Sequence, residues 1–299
     1  MAPEAPRVSD IRTAAERLLR RADADGRLPT PVDDIVAAAG LVQPEHSMLS
    51  DFVLEQAPAH LRSAMRKLRL KVRAVLDREA REIHVDPAIH NQGQISFKKL
   101  HEVGHDICPW QRDRGYADDD ETLSWSTNHG FEREANLAAA ELMFQRTLLR
   151  DMAAQYEIGI PAVLELAGQI GSSGHAAFRR FTETHRWAVA GVVLDVSPRS
   201  RDPLAYQRRE VVASPAWEER FGPVVNWPSV LRPVPYSFIT RCPQAATTRS
   251  VVSETFRFPD LRSEQVDLNV ELYSNSYKLF VLLWVPRRER FRHRRLLAA

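Results

Sequence analysis

Cysteine is nearly absent, with only Cys108 and Cys242 among 299 residues. Two cysteines cannot build the disulfide framework of a small secreted fold, and they fit a reducing compartment. An excess of one charge is also missing. Lysine and arginine number 41 against 39 acidic residues, a formal net charge of +2, which gives no general argument for nucleic-acid binding. The longest apolar stretches, such as Leu279 to Val285, are far too short to cross a bilayer. The first residues, Met1 to Pro6, lack the basic-then-apolar order of a secretory leader. We therefore expect a cytoplasmic protein without a membrane partner. Internal repeats and low-complexity segments are missing as well.

What is present suits an ordinary globular chain. Hydrophobic residues make up 44% and charged residues 27%, and the length allows one large domain or two. Basic residues do gather between Arg287 and Arg295. Such a run can contact phosphates, but it reads more simply as a solvated tail.

Ser9 and Asp10 can cap a helix whose apolar face runs through Ile11, Ala14, Leu18 and Leu19. For a second helix, Thr30 is the expected cap, Pro31 suits the first turn, Asp33 and Asp34 complement the positive end, and Gly40 closes it. Residues 59 to 69 look helical. From Leu70 to Val85 helix and hairpin templates both match, and alternation of Val72, Ala74 and Leu76 with Lys71, Arg73 and Val75 favours a hairpin. A short strand is expected at Gln94 to Phe97, leading into a helix that carries His101. A polar loop from Gln111 to Gly130 follows, its Asp118-Asp119-Asp120-Glu121 run reading as a solvated turn, and then a long helix, Phe131 to Tyr156. Pro161 opens another helix, which Gly171 to Gly174 break before a further one reaching about His185. Beyond Ala188 short β-rich segments take over, at 189–194, 251–258, 266–273 and 277–285. The strict alternation of 266–273 marks a half-exposed antiparallel strand.

The chemistry centres on His101-Glu102-Val103-Gly104-His105. Histidines four apart on a helix project from one face, one turn apart, so both can bind one zinc ion. Neutral imidazole suits zinc, and manganese or iron would accept the same donors. Glu102, beside the first histidine, can take a proton from the attacking water and pass it to a leaving amine. Gly104 is a poor helix former, and its place inside the motif is expected to admit another backbone closely.

A catalytic zinc usually takes three protein ligands, so a third is needed. The helix starting near Phe131 offers Glu132 and Glu134. Glu132 shares a face with Asn136, which suits Glu132 as ligand and Asn136 as the hydrogen-bond partner that fixes a ligand histidine's tautomer. Glu134 points elsewhere and is the fallback ligand.

The run Phe97 to His105, followed by Glu132-Arg133-Glu134-Ala135-Asn136 and by Ala138 to Met143, resembles the ImmA/IrrE metallopeptidases. Pro31 to Leu41, the hairpin end Ile83 to Asp86, and Pro161 to Leu194 are similar to that family too, so the resemblance spans roughly residues 10 to 195. It implies a zincin in which His101, His105 and Glu132 bind zinc and Glu102 is the general base. It also implies a bacterial or phage regulator that cleaves a partner protein, commonly a helix-turn-helix repressor, and so switches on stress or mobile-element genes. The chain departs from the family at Lys98 and Lys99, where small or apolar residues are usual. It departs again at Pro109, which ends the helix early, and at Phe144-Gln145, where Met-Pro is common. These mark a divergent branch whose substrate need not be the usual repressor.

Other residues bear on the same site. Cys108 reads as a buried, inert thiol rather than a thiolate ligand. His129 and Tyr116 compete as stabilisers of a developing oxyanion. His84 and His90 read as structural or exposed. Leu166 to His185 has a helix-turn-helix outline but few basic residues, so it reads as scaffold, and direct nucleic-acid binding is not expected. The resulting expectation is an α+β protein. Residues 1–198 form a zincin-like metallopeptidase domain, and residues 199–299 form a β-rich domain that senses a small ligand or recognises the partner, a role resting on analogy. The rival expectation is a zinc-stabilised module that sequesters its partner without hydrolysis.

Overall fold

A computed structural model describes residues 8–56, 58, 60, 62, 73–112, 125–198, 202–248 and 250–286. The expected helix at 59–69, Tyr116, the acidic run at 118–121 and the basic tail fall wholly or mostly outside these residues. The fold is α+β. The chain divides into two compact units, one of Met1–Tyr156 and Val163–Arg180, the other of Glu157–Ala162 and Phe181–Ala299. No helix among the described residues is long and apolar enough to cross a membrane.

In the first unit, α1 (Val8–Arg21) buries Ile11, Ala15, Leu18 and Leu19, a stripe at helical spacing, with Asp10 in its first turn and Arg20 and Arg21 in its last. α2 (Val32–Ala38) ends at Gly40, whose φ of +71° only glycine adopts without strain. Thr30 is not its cap: the hydroxyl donates instead to the Met143 carbonyl at 2.8 Å. A short helix, α3, spans Asp51–Gln56.

The hairpin forms as β1 (Ala74–Asp77) and β2 (Glu82–Val85), with Ala74 opposite Val85. Arg81, in the turn, pairs through both guanidinium nitrogens with buried Asp106 and donates to the Ala39 carbonyl at 2.7 Å. One side chain thus ties the hairpin to the end of α2 and to the helix carrying Asp106.

That helix, α4 (Gln92–Ile107), overturns the strand expected at Gln94 to Phe97. The Asn91 side chain accepts from Gln94 N at 2.9 Å, a helix cap that starts the helix two residues before the expected start of the strand at Gln94. Ser96, Lys99, Leu100 and Val103 are buried at helical intervals. Gly93 is required by packing, because a Cβ there would lie 2.4 Å from Ser173 N. Lys99 buries its stem and places its ammonium on Asp33 at 2.7 Å, which accounts for a lysine at that position. α4 stops at Ile107: Cys108 is extended ahead of Pro109, as a residue before proline prefers. α5 (Pro109–Arg112) follows, so Gln111 is helical and buried rather than the start of a polar loop.

α6 spans Trp125–Met143, and α7 spans Leu148–Ala153, so the single helix expected from Phe131 to Tyr156 is two. The break falls at Gln145 and Arg146, both with positive φ. The Gln145 amide accepts from Gly26 N at 2.6 Å and donates to Arg27 O at 2.9 Å, fixing the turn against the segment after α1. α8 (Ile160–Ile170) and α9 (Gly174–Thr184) are separated at Gly171 (φ +79°), as the sequence indicates. Buried Glu141 of α6 joins Arg12 of α1 and Arg180 of α9.

The second unit is built on a six-stranded antiparallel sheet. Its strands are β3 (Val189–Asp195), β4 (Tyr206–Ala213), β5 (Val230–Leu231), β6 (Val252–Pro259), β7 (Gln265–Ser274) and β8 (Lys278–Trp284), in the order β5-β4-β3-β8-β7-β6. β7 alternates as expected, burying Val266, Leu268, Val270 and Leu272. These pack with Trp217, Trp227, Tyr236, Phe238 and Phe256, brought in by α10 (Pro215–Phe221), by connecting turns and by β6, while α11 (Cys242–Thr248) adds Cys242 and Ala245. The boundary expected at 198/199 lies earlier, after Arg180, because β3 pairs along its length with both β4 and β8 and sits inside the sheet.

Candidate metal centre

α4 presents His101 and His105 on one face, with Nε2 atoms 3.2 Å apart and both side chains largely buried. α6 supplies Glu132, one oxygen 3.3 Å from His101 Nε2 and the other 3.5 Å from His105 Nε2. Gly104 makes this approach possible. A Cβ at that position would lie 2.7 Å from the Ala135 carbonyl oxygen and 3.1 Å from the Ala138 Cβ, so glycine alone lets the helices come this near. The expected close backbone is therefore that of α6, and it brings Glu132 over the histidines.

Hydrogen bonds from outside decide which imidazole nitrogen faces inward. Asn136 Nδ2 donates to the Glu132 carbonyl at 2.8 Å, which leaves Asn136 Oδ1, an acceptor, 3.2 Å from His101 Nδ1. Gln111 Nε2 donates to Glu134 Oε2 at 2.7 Å and to the Phe131 carbonyl at 3.4 Å, which leaves Gln111 Oε1 2.8 Å from His105 Nδ1. An acceptor facing each Nδ1 requires that nitrogen to carry the proton. In the neutral rings both Nε2 lone pairs then point at each other and at a carboxylate. Three acceptors converging this closely repel one another unless positive charge lies between them.

The spacing suits a metal ion. His101, His105 and Glu132 each offer a ligand atom, all within 4.8 Å of one another. Tetrahedral bonds of ~2.0–2.1 Å set donor atoms about 3.3 Å apart, close to the separations just given. Two imidazole nitrogens and a carboxylate oxygen suit zinc, manganese or iron alike.

Where no metal ion supplies that positive charge, protons on the imidazoles do. Bonds from His101, then His105, hold the Glu132 carboxyl far below the usual carboxylate range. Burial pulls the His105 imidazole down, but its bonds to Glu132 and Gln111, aided by the charges of Glu102 and Glu132, outweigh that and make it a stronger base than usual. Burial raises the Glu102 carboxyl, against the opposing pull of the two histidines. Glu102 is only 7% exposed, and nothing among the described residues hydrogen-bonds its carboxylate.

Of the residues singled out from sequence, the structure brings together His101, Glu102, His105 and Glu132, with Asn136 behind His101. Glu134 faces away, accepting from Trp110 Nε1 and Gln111 Nε2 at 2.7 Å each. His129 is exposed and lies within α6, not in a loop. The Cys108 thiol, pushed up to about 12 by burial and by Glu134, packs with Ile11 and Ala138 outside the donor group. His84 is buried in the hairpin, its Nδ1 accepting from Met48 N at 3.2 Å, and His90 is exposed. Sequence reasoning missed Gln111. Pro109 marks the start of a helical turn there, but nothing local says that the glutamine faces inward.

The fold and donor set thus define an α+β protein with a helix-borne two-histidine, one-glutamate site. No protein-family model matches the chain, and no curated protein does. Among solved structures it is similar to a Mycobacterium tuberculosis transcriptional regulator, with a TM-score of 0.50 and 11% sequence identity over 92% of this chain and 75% of that one. At that identity the likeness concerns the fold alone.

Proposed function

We propose that this protein is a zinc-dependent endopeptidase of the ImmA/IrrE kind, with a zincin-like catalytic unit, and that it cleaves a specific partner such as a helix-turn-helix repressor. The observation that carries the reading is the convergence of three acceptors, two Nε2 lone pairs and the Glu132 carboxylate, held inward by Asn136 and Gln111. A bound zinc ion would supply Lewis acidity toward the scissile carbonyl and toward water. His101, His105 and Glu132 would hold it. Glu102, buried and with its pKa raised, is suited to take a proton from the attacking water and deliver it to the departing amine. Sequestration of the partner without hydrolysis would need the same metal site but no proton acceptor, and a buried carboxylate with no other partner among the described residues favours hydrolysis.

With Gln94–Phe97 helical, the strand offered to an extended substrate is β1, which packs against α4 and among the described residues pairs only with β2. A substrate segment would add to its outer edge, with backbone bonds supplying affinity. The β-rich second unit would sense a small ligand or recognise the partner.

The test is to incubate the purified, zinc-loaded protein with a candidate repressor and read new termini by mass spectrometry, with and without chelator. Cleavage that stops with chelator is expected. Glu102→Gln should retain zinc yet cut at least about a hundredfold more slowly. A stable, metal-dependent complex that is never cut, or full cleavage by Glu102→Gln, would overturn the assignment.

A further inference from the structure

We propose that Glu134 is a positioning residue for the metal site, acting through Gln111 on His105. The inference rests on the metal-site reading above. An amide side chain is nearly symmetric in shape, so Gln111 could present either its oxygen or its NH2 group to His105. Presenting NH2 would make His105 Nδ1 an acceptor and move the ring proton to Nε2, where it would stand between the ligand atoms and block the ion. What faces the far side of the amide decides. Glu134 Oε2 and the Phe131 carbonyl are acceptors at 2.7 and 3.4 Å, so an amide turned the other way would set its oxygen against two oxygens. Gln111 is only 2% exposed, so water is poorly placed to relieve that clash.

Glu134 is held in turn by the Trp110 indole, which donates to the same oxygen at 2.7 Å. A carboxylate, an amide and an imidazole therefore form one chain, Glu134 to Gln111 to His105, entirely within α4, α5 and α6. The two histidines are oriented differently. Asn136, behind His101, is aligned by the Glu132 backbone carbonyl, which no side-chain substitution removes. Gln111, behind His105, owes its orientation to a side chain. The site is thus sensitive to a residue that makes no contact with the ion.

Glu134→Leu removes the nearer of the two acceptors and leaves only the Phe131 carbonyl at 3.4 Å, so the bias is weakened. Leucine is the informative change, because with glutamine the Trp110 N–H would hold the new amide's oxygen toward Gln111 and keep the bias. Gln111→Glu alone sets two carboxylates against each other. Combining Gln111→Glu with Glu134→Leu removes that repulsion. The remaining carboxylate can only accept from His105 Nδ1–H, so the inward lone pair returns.

The experiment uses full-length protein titrated with zinc against a chromophoric chelator, the visible spectrum of the cobalt-loaded protein, and the imidazole Nδ1–H signals by NMR. Each single variant should bind zinc about tenfold or more weakly, with the His105 Nδ1–H signal lost or shifted and that of His101 kept. The double variant should return to within about threefold of wild type. Single variants that bind like wild type with an unchanged His105 signal would overturn the proposal, as would a double variant no better than its parents. If wild type takes up no zinc, or His101→Ala takes up as much, the metal-site reading itself fails. Thermal unfolding of the metal-free variants separates a loss of fold from a loss of orientation.

Discussion

At the scale of single residues, the site depends as much on an absent side chain as on those present. Gly104 sits in the middle of α4, where alanine would ordinarily favour the helix by up to ~1 kcal/mol. Here the neighbour is a backbone carbonyl 2.7 Å from where a Cβ would stand, and backbone in a packed helix cannot move aside cheaply. Overpacking should win. Gly104→Ala is expected to destabilise the protein by about 1–3 kcal/mol and to weaken the zinc binding proposed above, because Glu132 moves off with α6. Calorimetric unfolding and a zinc titration measure the two effects separately, and an alanine variant more stable than wild type would contradict the account. The sequence motif made His101, Glu102 and His105 legible, since spacing along one helix settles which side chains share a face. Gln111 was not legible, because nothing local marks a glutamine as buried.

At the scale of elements, most helices and strands announce themselves through short-range chemistry. Glycine at positive φ ends α2 and α8, alternation marks β7, and proline limits α4. The failures are instructive. Gln94–Phe97 carries alternating apolar residues that a strand would use, yet the Asn91 cap opens a helix there, and Gly93 meets the backbone at Ser173. Asn91→Ala is expected to cost about 0.5–2 kcal/mol, with fraying confined to the first turn of α4, readable by amide hydrogen exchange at Gln94 and Ile95. Equal protection in the variant would show that packing alone starts the helix. The division of the expected long helix into α6 and α7 depends on Gln145 reaching Gly26 and Arg27, partners more than a hundred positions away in the chain. No local pattern carries that.

At the scale of the whole molecule, two carboxyls in the second unit should tilt stability with pH in opposite senses. Asp195 of β3 is held below its ordinary pKa by Arg209 on β4 and Lys278 on β8. Its contribution is present above the ordinary carboxylate value and is lost as pH falls toward the depressed one, and surface exposure keeps it under about 1 kcal/mol. Glu271 of β7 accepts from Ile160 N at 2.6 Å, but burial raises its pKa, so its contribution is present at acid pH and is lost as pH rises through the raised value. Glu271→Gln should therefore be more stable than wild type at neutral pH, with the gap closing near pH 4, whereas Asp195→Asn should be less stable at neutral pH and flatten the acid limb. Denaturant melts across pH 3 to 8 read both, and slopes of the reverse sign would reject the assignment.

The amino-acid order by itself determined that the chain is α+β, that two imidazoles share one helical face, that Glu132 and Asn136 share another, and that a β-rich part follows. These are matters of period and of neighbours within a few positions, which backbone geometry fixes locally. Only the tertiary structure turned Glu132 rather than Glu134 toward the histidines, put Gln111 and Asn136 behind them, opened α4 at Gln92 and placed β3 inside the sheet. Periodicity says which residues look the same way along an element. What they look at is decided by helices and strands distant in sequence, whose approach is limited by atoms such as the Cβ that Gly104 does not have.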